Sequence, residues 1–147
     1  MTIAVDFDGT IVTHCYPEIG EEIPFAIETL KAIIRDRHRL ILWSVREGNL
    51  LDEAVEWCRE RGVEFYAVNR DYPEETQEGN QNYSRKLKVD LFIDDRNIGG
   101  LPEWGVIYEM IKKKRTWNNL LEEAEAGSSG TAYCAPADRP KKKWWQI

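Results

Sequence analysis

Short apolar runs, each stopped at once by acidic or hydroxyl residues, constrain this chain more than any other feature. Ile3-Ala4-Val5 leads into Asp6-Phe7-Asp8-Gly9-Thr10, Leu40-Ile41-Leu42-Trp43 into Ser44, and Leu91-Phe92-Ile93 into Asp94-Asp95. Continuous apolar runs of this length read as strands buried on both sides. Between them, Ile23, Ala26, Ile27, Leu30, Ile33 and Ile34 recur at helical spacing and predict a helix from Ile23 to Asp36. Leu50, Leu51, Ala54, Val55, Trp57 and Cys58 predict a second, from Asn49 to Arg61, stopped by Gly62. Alternating strands and helices imply an α/β protein: a three-layer Rossmann-like fold with a central parallel sheet covered on both faces. Right-handed crossovers bring the carboxyl ends of the strands to one edge. Asp6 and Asp8, Ser44, and Asp94 and Asp95 therefore converge, although they are far apart in sequence.

Carboxylates gathered at one edge are costly unless a cation or a proton neutralises them. Mg²⁺ suits such a place, because it takes oxygen ligands from one or two carboxylates together with phosphate and water. Gly9 lets the chain turn directly after the first pair. The crevice outside the strand ends is also where open α/β sheets place their ligands.

The remaining elements are weaker signals. Thr2 to Phe7 reads as strand one, Val63 to Val68 as strand three and Val89 to Ile93 as strand four. Trp104 to Tyr108 reads as a short fifth strand, and Trp117 to Ala126 as a last helix ended by Gly127-Ser128-Ser129-Gly130. Arg70 to Tyr83 is polar and reads as an exposed loop. The expected organisation is a core over 1–126 and an at least partly irregular tail over 127–147, closing on Lys141-Lys142-Lys143-Trp144-Trp145. Basic residues beside aromatics can bind phosphates and stack bases, but docking of the tail on its own domain or on a second subunit is the favoured reading.

With 147 residues, the chain suits one domain with its own core. Its net charge of −6 gives nothing that draws it to nucleic acid or an anionic membrane. It carries no stretch long enough to span a bilayer and no signal peptide, so cytoplasm is the expected location. Three cysteines, Cys15, Cys58 and Cys134, match no zinc spacing.

On these residues the chain resembles the haloacid dehalogenase superfamily of aspartate-dependent phosphohydrolases. Asp6-Phe-Asp8-Gly-Thr10 is similar to its first motif, Ser44 to the second, Lys86 to the third and Asp94-Asp95 to the fourth, in that order over roughly 1–110. The resemblance implies that Asp6 attacks phosphorus and forms an aspartyl-phosphate. It implies that Asp8 protonates the leaving oxygen and then activates water. Ser44 and Lys86 would hold the phosphoryl oxygens, and Asp6, Asp8 (through its backbone carbonyl), Asp94 and Asp95 would bind Mg²⁺. Asp95 is favoured over Asp94 for direct contact. Gly9, Thr10, Ser44, Val45, Arg46 and Lys86 complete the candidate substrate-binding set.

Each assignment has a plainer competitor. An Asp-x-Asp-Gly sequence alone is also a turn with solvated carboxylates, which the second acidic pair argues against. Ser44 also fits the N-cap of the helix at Asn49. Lys86 competes with Lys88 and Arg85, and surface charge is the favoured reading of Arg46. His14 falls near the entrance without a partner in the pattern.

In the superfamily, an inserted cap reads the substrate. Neither gap here, Thr10 to Ser44 or Ser44 to Lys86, holds a domain, so no sizeable cap is expected. The loops Val12 to Glu22 and Arg70 to Tyr83 would line an open entrance, which a partner subunit could close in a homo-oligomer. The function these observations imply is a Mg²⁺-dependent phosphatase of small phosphomonoesters. A nucleotide or polynucleotide-end phosphatase, or a non-catalytic binding domain on the same fold, are the alternatives.

Overall fold

The structure, a computed structural model, describes residues 1–75 and 86–114. Among these it contains β1 (Thr2–Val5), α1 (Ala26–Arg35), β2 (Arg39–Leu42), α2 (Gly48–Glu60), β3 (Ala67–Val68), β4 (Leu91–Ile93) and α3 (Trp104–Lys113). Met1–Lys113 forms one compact unit. The expected α/β, Rossmann-like fold around a parallel sheet is present.

The strands lie in the order β3-β2-β1-β4, all parallel. Val5 is level with Leu42 on one side and with Ile93 on the other. Asp6 and Asp94 therefore leave the sheet side by side. From β1 the chain winds outwards through β2 to β3, then returns to the opposite side of β1 as β4. The order reverses between β1 and β4, and the crevice outside their carboxyl ends is the switch point where α/β sheets bind ligands.

Side chains alternate across the sheet. Ile3, Val5, Leu40 and Leu42 share one core with Ile27, Leu30 and Ile33 of α1, Ala54 and Cys58 of α2, and Trp104, Ile107 and Ile111 of α3. Ala4, Ile41 and Ala67 face the other way, against Leu87, with Trp43, Val89 and Phe92 beside them. Among the described residues, then, helices cover one face. On the other, Leu87 and Val89 from the segment leading into β4 are the described residues that pack there, where a second helical layer is the sequence expectation.

Several boundaries move for identifiable reasons. β1 stops at Val5 because the Phe7 carbonyl accepts from the N–H groups of Thr10, Ile11 and Val12, which turns the chain. α1 starts at Ala26, since Pro24 and left-handed Phe25 (φ 67°) precede it and the Ile23 N–H goes to the Ile11 carbonyl. The fifth strand expected over Trp104 to Tyr108 is the start of α3 instead. Its β-favouring residues are overridden because Trp104, Ile107 and Ile111 fall on one helical face. The expected helix 117–126, the glycine-serine stop, the Lys/Trp tail, Cys134, Arg85 and most of the polar loop lie outside the described residues. Among the described residues no helix is long and apolar enough to cross a membrane.

Candidate functional site

Asp6, Asp94 and Asp95 meet at the switch point, each offering a carboxylate oxygen within 4.8 Å of the others. The Asp6 N–H donates to the Ile93 carbonyl at 3.0 Å, which carries the β1–β4 ladder one step into the site. Burial is the main reason the Asp6 carboxyl is pushed up to about 6. A hydrogen bond from the Phe7 backbone opposes the rise, while the charges of Asp94, Asp95 and Asp8 add to it.

Asp95 is held at two points and left open at a third. Its N–H donates to Thr10 Oγ1 at 3.1 Å, and its Oδ2 lies 2.9 Å from His14 Nε2. Its Oδ1 is buried with no hydrogen-bond partner. Asp94 Oδ1 accepts from the Arg96 N–H at 2.8 Å, closing a turn directly after β4. Gly9, at φ +88°, passes so close beneath that a Cβ would stand 2.6 Å from Asp95 Oδ2 and strike the His14 ring. Hard oxygen donors, like charges crowded together and one buried oxygen without a partner fit a divalent cation such as Mg²⁺. Asp6, Asp94 and Asp95 are the side chains that could hold one.

Asp8 turns elsewhere. Arg46 Nε donates to its Oδ2 and Nη2 to its Oδ1, both at 2.7 Å. Arg46 also donates from Nη1 to the Pro17 carbonyl at 2.9 Å and from Nη2 to the Glu18 carbonyl at 2.8 Å. The arginine is fully buried, and its bonds to Asp8 push its pKa up further. The loop it fastens is pinned at its base, where the Thr13 N–H meets the Glu21 carbonyl at 2.8 Å and the Glu21 N–H meets Thr13 Oγ1 at 3.0 Å. The loop after β1 is thus a strap tied across Asp8, and Arg46 is not surface charge.

The other expected residues divide. Ser44 follows β2 and is fixed by Asn69, which accepts from the Ser44 N–H at 2.8 Å and donates to the Ser44 carbonyl at 2.9 Å. Its Oγ accepts from the Arg46 N–H at 3.2 Å. It is not the N-cap of α2; Glu47 holds that position, without a side-chain cap. Val45 is 75 % exposed beside it. Thr10 is wholly buried, supports Asp95 through Oγ1 and accepts from Trp104 Nε1 at 3.1 Å through its carbonyl. It builds the floor of the site rather than its lining. Lys86 is exposed, and among the described residues it forms no ion pair with the carboxylates. The Lys88 N–H donates to Asp71 Oδ1 at 2.6 Å. Cys58 is buried, with its thiol pushed up to about 12 by burial, and Cys15 is exposed.

Sequence reasoning missed His14 as a partner of Asp95 and Arg46 as the partner of Asp8. A second aspartate in the first motif needs a cation if it is buried, and an arginine four residues past the end of β2 is the available one.

No family profile and no curated protein matches the chain. A solved structure of a conserved protein from Bacteroides thetaiotaomicron is similar to it, with 72% sequence identity and a TM-score of 0.76, over 82% of this chain and 96% of that one. Identity at that level over nearly the whole of the other protein means that this chain belongs to the family of the conserved B. thetaiotaomicron protein.

Proposed function

We propose that this protein is a divalent-cation-dependent phosphomonoester phosphatase in which Asp6 is the nucleophile. The observation that carries the reading is the Asp6, Asp94 and Asp95 cluster at the β1/β4 switch point, with the partnerless buried oxygen of Asp95. The order of Asp6-Phe-Asp8-Gly-Thr10, Ser44 and Asp94-Asp95, which resembles the haloacid dehalogenase superfamily, supports it.

Asp6, Asp94 and Asp95 would hold a Mg²⁺ ion, which would supply the charge neutralisation that lets an anionic nucleophile meet an anionic phosphoryl group. The Asp6 carboxylate oxygen bonds to phosphorus as the ester oxygen departs with the bonding pair and takes up a proton. Water then attacks the phosphorus of the aspartyl-phosphate, loses a proton, and frees Asp6 and phosphate. Ser44 stands after β2 as a donor for a phosphoryl oxygen. Asp8 would handle the protons while paired with Arg46, each of its oxygens keeping a second lone pair beside the one that accepts from the guanidinium. Asp95, with its open Oδ1, is the better candidate than Asp94 for direct contact with the cation.

The test is phosphate release by the full chain from a panel of phosphomonoesters, with Mg²⁺ and with a chelator. The expected result is turnover that needs the cation and falls at least about a thousandfold in Asp6→Asn. Full activity in Asp6→Asn, or no cation-dependent turnover of any ester, overturns the reading.

A further inference from the structure

Tyr16 is 60% exposed and Val45 75% exposed, and both belong to the surroundings of Arg46. Val45 precedes it in the chain, and the centre of the Tyr16 ring lies 5.3 Å from the Arg46 guanidinium carbon. The guanidinium itself is immobilised. Four donated hydrogen bonds hold it to Asp8, Pro17 and Glu18, the Phe7 ring lies 5.2 Å from it, and Trp57 meets Phe7 edge-on at 5.8 Å.

Tyr16 is therefore an exposed ring seated on a fixed cation and carried by a strap whose backbone is tied down on both sides. Its centre stands no more than about 9 Å from the Asp8 carboxylate, given the bond lengths involved. On the phosphatase reading Asp8 serves the leaving oxygen, so a planar group carried on that oxygen lies on the Asp8 side of the site, where Tyr16 stands. A rigid aromatic side chain presents its face at little entropic cost, and stacking on it is tolerant of the ring's identity.

We propose that Tyr16 is a specificity-determining platform on which the planar aromatic leaving group of a small phosphomonoester, aryl or nucleoside, stacks. The proposal rests on the phosphatase reading and narrows its substrate class. The chain's net charge of −6 favours a small monoester over a polyanion.

The test uses non-hydrolysable phosphonates, so that binding is read without turnover. Phenylphosphonate and cyclohexylphosphonate, similar in bulk but different in planarity, are titrated calorimetrically into the full chain with Mg²⁺. Phenylphosphonate is expected to bind about tenfold tighter. Tyr16→Leu, which keeps bulk without a ring, erases that ratio, and Tyr16→Phe and Tyr16→Trp preserve it. An equal affinity for the two in the wild type, binding of neither, or a ratio that survives Tyr16→Leu overturns the proposal. The two readings fail separately: a phosphonate preference without ester hydrolysis sinks the phosphatase alone, and hydrolysis without the preference sinks the platform alone.

Discussion

Arg46 takes both carboxylate oxygens of Asp8 at 2.7 Å, and neither residue has appreciable access to water. The same guanidinium ties down the strap after β1 through the Pro17 and Glu18 carbonyls. One buried cation thus joins the second aspartate of the first motif to the loop that crosses it. Because the bidentate geometry needs a planar fork, Arg46→Lys is not a conservative change. Arg46→Met leaves Asp8 as an uncompensated buried charge and is expected to lower stability by about 3–5 kcal/mol in denaturant unfolding. A double variant with Asp8→Asn should lose clearly less than the sum of the two single losses. Additive losses would show that the pair is not coupled.

Asp6 makes the metal-free site a source of instability. Its folded-state pKa, about 6, lies above the ordinary carboxyl value of 3.8, so its favourable protonation is fully present below pH 3.8 and is lost as pH rises through 6. Asp6→Asn removes that penalty. In chelator, the variant should melt above the wild type at pH 7.5, with the gap shrinking towards pH 4. Thermal melts at the two pH values check this, and a gap that is independent of pH would contradict it.

Thr10 supports Asp95, and with it the proposed cation site, without facing it. Thr10→Val keeps the buried shape but removes the acceptor of the Asp95 N–H. Partners of ligating carboxylates matter about tenfold or more in metal affinity. Mg²⁺ titration should show a loss of about tenfold for Thr10→Val and little for Thr10→Ser.

Cys58 and Cys15 should separate in their thiol chemistry. Cys15 is exposed and should react at once with a thiol reagent; Cys58, buried with its thiol pushed up to about 12, should wait for unfolding. Peptide mapping after timed labelling distinguishes them, and equal rates in the native protein would contradict the packing of α2.

The meeting of Asp6 with Asp94 and Asp95 was legible in the sequence, because parallel strands that end in acids must deliver them to one edge. The strand order that puts β1 beside β4 was not legible, nor was the direction each side chain takes. Asp8 shows why: its place in the motif suggests membership of the acidic cluster, but Arg46, 38 residues away, draws it aside. Trp104 to Tyr108 read as a strand because its residues favour one, and only the packing of Trp104, Ile107 and Ile111 against the core makes it helical. His14 carried no signal, since its partner Asp95 lies 81 residues on.

The central claim is that Asp6 receives the phosphoryl group. Its most direct test is acid quenching of the full chain during reaction with a phosphomonoester and Mg²⁺, followed by peptide mass spectrometry. The account predicts a phosphoryl group on the peptide containing Asp6, assigned to that residue and absent in chelator. Cation-dependent turnover with the phosphoryl group on another residue, or on none when the reaction is quenched before the first turnover completes, would contradict it.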